Sequence, residues 1–178
     1  CQSAAECGGC PWHLSSSSEQ RVALLAHTHR QLERLAWTKG QTDLSWGEVS
    51  DSQGWRQTVR FHWRKTRLGY FKWGSHEIVV PETCPILIDG LERVRLKLVD
   101  FFKRFGIGEG TIRLTYASEE NGCLISIQPE PKQYERVDWE TFGQCLYGAI
   151  SDHVVGIEIR GERRPVYCRG ATRVGIGR

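Results

Sequence analysis

Three cysteines fall within the first ten residues, in Cys1-Gln-Ser-Ala-Ala-Glu-Cys7-Gly-Gly-Cys10, and a fourth stands far downstream in Thr83-Cys84-Pro85-Ile86-Leu87. No other feature restricts the fold as strongly. If the four thiols act on one centre, the chain must return at position 84 to the loop that opened it. Thiolates select soft metals, so the expected occupants are an iron-sulfur cluster or zinc. Zinc sites usually join two short hairpins of Cys or His. Three close ligands and one remote one favour a 4Fe-4S cluster held by Cys1, Cys7, Cys10 and Cys84, with Gly8-Gly9 as a hinge between two of them. The alternative is a disulfide knot or a set of free thiols. Seven cysteines are an odd number for a fully paired scaffold, and 178 residues can bury a core without disulfides.

No stretch reaches the eighteen or so uninterrupted apolar residues that a membrane span needs, and no signal peptide is legible at the start. The expectation is a soluble, cytoplasmic monomer with no membrane partner. The chain has no methionine and starts at a cysteine, so it is read as a fragment of a longer protein.

The net charge of +3 says little about partners, but its distribution says more. Between Ser52 and His76 there is no acidic residue, while Arg56, Arg60, Arg64, Lys65, Arg67 and Lys72 are interleaved with Trp55, Phe61, Trp63, Tyr70, Phe71 and Trp73. Cations bind phosphates and aromatic faces stack on unpaired bases, so this stretch is a candidate RNA surface. Core packing is the expectation for Trp55 and Trp63 themselves. A second basic cluster, Arg160, Arg163, Arg164, Arg169, Arg173 and Arg178, closes the chain.

Taken in order, Ser16 to Glu19 has capping-box spacing, and Val22, Leu25, His29, Leu32 and Leu35 follow at helical intervals. They predict an amphipathic helix over 17–37, with His27 and His29 as ordinary surface or half-buried histidines. Residues 40–54 read as a loop. Alternation over 55–65 predicts a strand with Trp55, Val59, Phe61 and Trp63 inward and Arg56, Arg60, His62 and Arg64 outward. Short strands at 68–71 and 77–80 complete an antiparallel meander that delivers Cys84 to the cysteine loop. Leu87, Leu91, Val94, Leu98, Phe101 and Phe105 predict a helix over 86–105 stopped by Gly106. Asn121-Gly122 between β-prone runs predicts a hairpin. A helix over 138–150 and a strand over 154–159 follow. Cys123, Cys145 and Cys168 lack metal spacing and read as core or incidental thiols. The fold class is α+β: an antiparallel sheet, about three packed helices and a cysteine-rich metal-binding loop.

The ordered series Cys1, Cys7, Gly8-Gly9-Cys10, Trp12-His13, Trp55-Arg56, Gly69-Tyr70-Phe71, Gly74-Ser75, Ile78-Val79 and Cys84-Pro85-Ile86-Leu87 resembles the central region of bacterial 23S ribosomal RNA (uracil-5)-methyltransferases. The resemblance covers roughly 1–87 and continues more weakly to about 161. It implies a cluster-binding, RNA-recognition domain over 1–161, with 162–178 as a basic tail or the start of a linker to a methyltransferase domain. The implied partner is structured RNA, ribosomal RNA first. Arg56, Arg60, Arg64 and Lys72, together with Trp12 and His13 beside the cysteine loop, are the candidate RNA-binding residues. S-adenosylmethionine is expected only for a longer parent. Cys168 lacks the surroundings of the family's nucleophile and Gly175-Ile176-Gly177 lacks those of its methyl-donor turn, so no catalytic residue is assigned. Two other functions fit the cysteines: a stand-alone iron-sulfur electron carrier, or a zinc-stabilised nucleic-acid adaptor.

Overall fold

The alternation of large apolar and polar residues after position 57 builds the centre of a sheet. In the computed structural model, which describes residues 1–10, 14–34, 44–45, 47 and 53–172, strand β1 (Thr58–Arg64) buries Val59, Phe61 and Trp63 and leaves Arg60 and Arg64 exposed. It turns through Lys65, at φ 54°, into β2 (Arg67–Phe71), which pairs in turn with β3 (Ile78–Val79).

Helix α2 (Asp89–Phe105) follows, then β4 (Glu109–Ala117), β5 (Gly122–Pro129), α3 (Trp139–Ile150), β6 (Val154–Arg160) and β7 (Pro165–Gly170). The seven strands run in the order β3-β2-β1-β4-β5-β6-β7. Every pairing is antiparallel except β5 with β6, which α3 joins as a crossover. Asn121 takes the left-handed conformation, φ 49°, at the β4–β5 turn, as the Asn-Gly pair predicts. Asp138 caps α3 by accepting from the Thr141 amide.

One side of the sheet carries the core. Leu91, Val94, Leu98 and Phe102 of α2 and Trp139, Phe142, Leu146 and Ile150 of α3 close over Phe61, Trp63, Ile112, Leu114, Ile125, Ile127, Ile157 and Ile159. Phe142 meets Phe101 and Phe102 edge-on, locking the two helices together. The Trp63 indole N–H donates to the Ile107 carbonyl, so even the largest ring has its polar atom satisfied.

Four expectations change. The strand begins at Thr58 instead of Trp55, because Arg56 pairs with the 86–88 segment: its N–H donates to the Ile86 carbonyl and its carbonyl accepts from Ile88. Trp55 therefore lies outside the alternation and is 52% exposed, while Trp63 is core at 2%. Helix α1 (Ser17–Arg34) forms behind its capping box, Ser16 and Glu19 bonding reciprocally, but none of its residues is buried. Its apolar stripe therefore does not join the core. The arginine-rich segment expected as a tail contains β7, which adds a strand at the β6 edge. The expectations for residues 35–37 of α1 and most of the 40–54 loop fall outside the described residues.

Phe102 is fully buried among α3 and β1 side chains. Phe102→Ala is expected to destabilise the protein by about 3–5 kcal/mol in urea unfolding, whereas Lys103→Ala on the exposed side of the same helix should stay within about 0.5 kcal/mol.

Candidate metal and RNA-binding site

The cysteine loop cannot hold its position by its own turns, so its backbone borrows partners from β2. Gly8 N–H donates to the Phe71 carbonyl at 2.8 Å, Trp73 N–H donates to the Glu6 carbonyl at 3.1 Å, and Cys7 bridges to Lys72. Glycine is required here by space. A Cβ on Gly8 would lie 2.7 Å from the Phe71 carbonyl oxygen, and one on Gly9 would lie 2.5 Å from the Tyr70 ring. The Gly-Gly pair expected as a hinge is the surface through which the loop seats on the sheet.

Cys84 arrives from the other side. Its segment is tied to residues 54–56 by Gly54 N–H to the Pro85 carbonyl and Arg56 N–H to the Ile86 carbonyl, at 2.9 and 2.8 Å. Helix α2 fixes it further. Glu92 accepts the Cys84 amide through Oε1 at 3.1 Å and pairs with Arg95 through both carboxylate oxygens. Arg95, 2% exposed, spends its other donors on the carbonyls of Pro81 and Glu82 at 2.9 and 2.8 Å. One buried guanidinium therefore ties down the whole 81–84 turn.

These two constructions bring Cys1, Cys7, Cys10 and Cys84 to the walls of one cavity of about 420 Å³, completed by Trp55, Arg56 and Tyr70. Cys7 and Cys84 are buried, Cys10 is half-buried and Cys1 is exposed. Burial raises the Cys7 thiol above its ordinary pKa; the Gly9 amide, donating to its sulfur at 3.4 Å, pulls the other way, and the nearby Cys84 and Cys10 add to the rise. The Tyr70 hydroxyl sits 3.4 Å from the Cys84 sulfur. Burial, then Cys84, push the tyrosine's ionisation upward, so it stays a phenol that can donate to a thiolate. Among the described residues, no group of three or more Cys, His, Asp or Glu side chains is gathered as for a metal ion. The thiols share a cavity without converging on one point.

Three of the candidate RNA-binding residues, Arg56, Arg60 and Lys72, line a second groove of about 420 Å³ with His62, Phe71 and Trp73. Gly9, Arg56 and Tyr70 belong to both hollows, so the cysteine cavity and the basic groove share a wall. Arg56 is not the outward-facing strand cation the alternation predicts. Its guanidinium donates to the Gly9 carbonyl at 3.0 Å and lies 5.2 Å from the Trp55 ring centroid, which makes it a brace for the cysteine loop. Lys72 pairs with Glu6 at 3.5 Å, and Arg64 with Glu109 at 3.1 Å, outside the groove. Trp12 and His13 lie outside the described residues. Cys123 is core, its thiol pushed up by burial to about 12, while Cys145 and Cys168 are exposed and away from the cavity.

Sequence reasoning missed Arg95 and Glu92, and read Tyr70 as one of the aromatics of the basic stretch, not as a neighbour of Cys84. Arg95 had a signal: it stands four residues from both Leu91 and Val99, in line with buried positions of α2.

No protein-family model matches this chain, and no curated protein matches it either. The fold and the two adjoining hollows define it as an α+β domain with a cysteine-lined cavity beside a basic groove.

Arg95→Met leaves the Pro81 and Glu82 carbonyls and the Glu92 carboxylate without their donor. A loss of about 3–5 kcal/mol in chemical unfolding is expected, the usual result of removing one member of a buried pair. Exchanging the exposed Lys103–Asp100 pair on the same helix for a neutral pair is expected to change stability by less than about 1 kcal/mol.

Proposed function

We propose that this chain is the cluster-bearing, RNA-recognition portion of an RNA (uracil-5)-methyltransferase, with structured RNA, ribosomal RNA first, as its partner. The observation that carries this reading is the shared wall: thiols from positions 1–10 and 84 surround one cavity, and Arg56, Gly9 and Tyr70 turn its outer side toward a groove with Arg60 and Lys72. An electron carrier needs the cysteines but has no use for the basic, aromatic groove.

The donor set suits a 4Fe-4S cluster. Four thiols around about 420 Å³ leave more room than a single ion fills, and Cys7 and Cys84 already have N–H and O–H groups beside their sulfurs. Cys1, Cys7, Cys10 and Cys84 would hold it. With four protein thiolates no iron position stays open for substrate, so the group supplies cross-linking between the chain's start and the 81–88 segment. The chain's own residues do the rest. Arg56 offsets the negative charge of the thiolates from the cavity wall, Tyr70 separates cavity from core, and the groove side offers cations to phosphate and rings to bases. A methyl donor would bind outside this chain, in a parent protein.

Cys84→Ser is expected to lose iron and labile sulfide as completely as Cys7→Ser or Cys10→Ser, although it stands more than seventy positions away. Cys145→Ser, exposed on α3, should retain both. Stoichiometric iron and sulfide in Cys84→Ser would remove the remote ligand from the site. Zinc in place of iron in the purified protein would favour the adaptor.

A further inference from the structure

Helices α2 and α3 cover one face of the sheet; the opposite face carries a feature that costs stability without a structural return. Arg60 of β1 stands directly across from Arg113 of β4 in the antiparallel register. Both side chains are on the open face and both are exposed. Directly opposed residues hold their Cβ atoms only about 4.5–5.5 Å apart, and like charges in that position repel. Elsewhere on this face the cations have partners: Arg64 and Lys132 share Glu109, Arg160 pairs with Glu158, and Arg67, which stands across from Arg64, donates to the Ile78 carbonyl. Among the described residues neither Arg60 nor Arg113 has an acidic side chain in salt-bridge range.

The surroundings of the pair are those of an anion with a flat, apolar neighbour. Hydroxyls flank it: Thr58 faces Thr115 one step toward the start of β1, Thr111 faces His62, and Ser126 lies across from Arg113 on β5. Two residues along from Arg60, the His62 ring is stacked on Phe71, with centroids 3.7 Å apart and planes 16° from parallel. Burial, then Arg60, then His76, hold that imidazole below its ordinary pKa, so it adds a flat neutral ring and no third positive charge. Arg60, His62 and Phe71 line one part of the groove that Lys72 and the half-exposed Trp73 continue.

We propose that the Arg60–Arg113 pair is a phosphodiester clamp for single-stranded RNA, and that the strand runs from this clamp past Phe71 into the groove beside the cysteine cavity. This rests on the RNA-recognition reading above and extends it to β4, to a residue far from the basic stretch of β1. Charge complementarity selects the occupant. Two opposed guanidiniums offer parallel N–H donors to one phosphate, and adjoining rings accept a base that a duplex would keep stacked inside.

The test uses the full chain and a uracil-containing RNA hairpin with a single-stranded loop, titrated over a salt series, with the same RNA annealed to its complement as comparison. Arg60→Gln and Arg113→Gln are each expected to weaken loop binding several-fold. Each single variant should make the slope of log affinity against log salt shallower by less than about 0.7, because the remaining arginine still meets the phosphate. The double variant should flatten it by about 0.7 in all, the value for one single-strand phosphate contact, where two separate phosphates would give about 1.4. Without RNA, Arg113→Gln should melt at the same temperature as the parent or higher, since it relieves repulsion; a clear drop would make Arg113 a structural residue and overturn the clamp. Lys103→Gln on α2 is the control and should bind as the parent does. If Arg113→Gln keeps the parent's affinity and slope while Lys72→Gln loses both, the groove binds RNA and the clamp is wrong. If the unaltered chain binds neither RNA, the RNA-recognition reading itself falls.

Discussion

The arrangement depends on a buried ion pair that lines neither the cysteine cavity nor the basic groove. Arg95 and Glu92 sit on α2, a helix committed to the core through Leu91, Val94 and Leu98, and their polar ends gather the carbonyls of Pro81 and Glu82 and the amide of Cys84. A buried pair of this kind is a poor source of net stability, because desolvation offsets most of its attraction. Its value is positional. The turn between a two-residue strand and a helix is otherwise held through the backbone bonds of residues 54–56 to Pro85, Ile86 and Ile88, which lie after its cysteine. The pair transfers the rigidity of the hydrophobic core to one thiol.

The two sides of the cavity are therefore supported differently. Cys84 is held by side chains of a core helix. The amino-terminal cysteines are held by backbone bonds to the end of β2 and by the close seating of Gly8 and Gly9 on Phe71 and Tyr70. Tyr70 belongs to both supports, packing edge-on against core Phe61 at 4.9 Å while its hydroxyl reaches the Cys84 sulfur. Arg56 links them a second time, its backbone paired with the 86–88 segment and its guanidinium on Gly9.

Much of this was legible from residue patterns where one face is wet and the other dry. The period of two in β1 and the three- and four-residue steps of α2 and α3 report burial directly, and the Asn121-Gly122 pair reports the left-handed backbone of its turn. The misses share a cause: they lie where burial and polarity separate. Strand β7 has almost no buried side chain and so no alternation to read. Trp55 is apolar yet outside, because its neighbour's backbone is engaged elsewhere. Arg95 is charged yet inside, because carbonyls outside its own helix complete its bonding. Helix α1 has the stripe of a packed helix but buries none of it. For the cysteines, spacing suggested a ligand set and the structure places those four on one cavity, while the wall shared with the basic groove depends on Gly9, Arg56 and Tyr70 meeting across long separations.

The docking of the first ten residues onto the end of β2 also sets an order in time. Their outside backbone partners, the Phe71 carbonyl and the Trp73 amide, lie some sixty positions later in the chain. During synthesis Cys1, Cys7 and Cys10 leave the ribosome long before the hairpin that will seat them, and longer still before the helix that orients Cys84. Through that interval they are close, unshielded thiols, open to any oxidant or stray metal ion. Their seat exists only once β2 and α2 have been made, so these thiols depend for their shelter on residues that come much later in the chain.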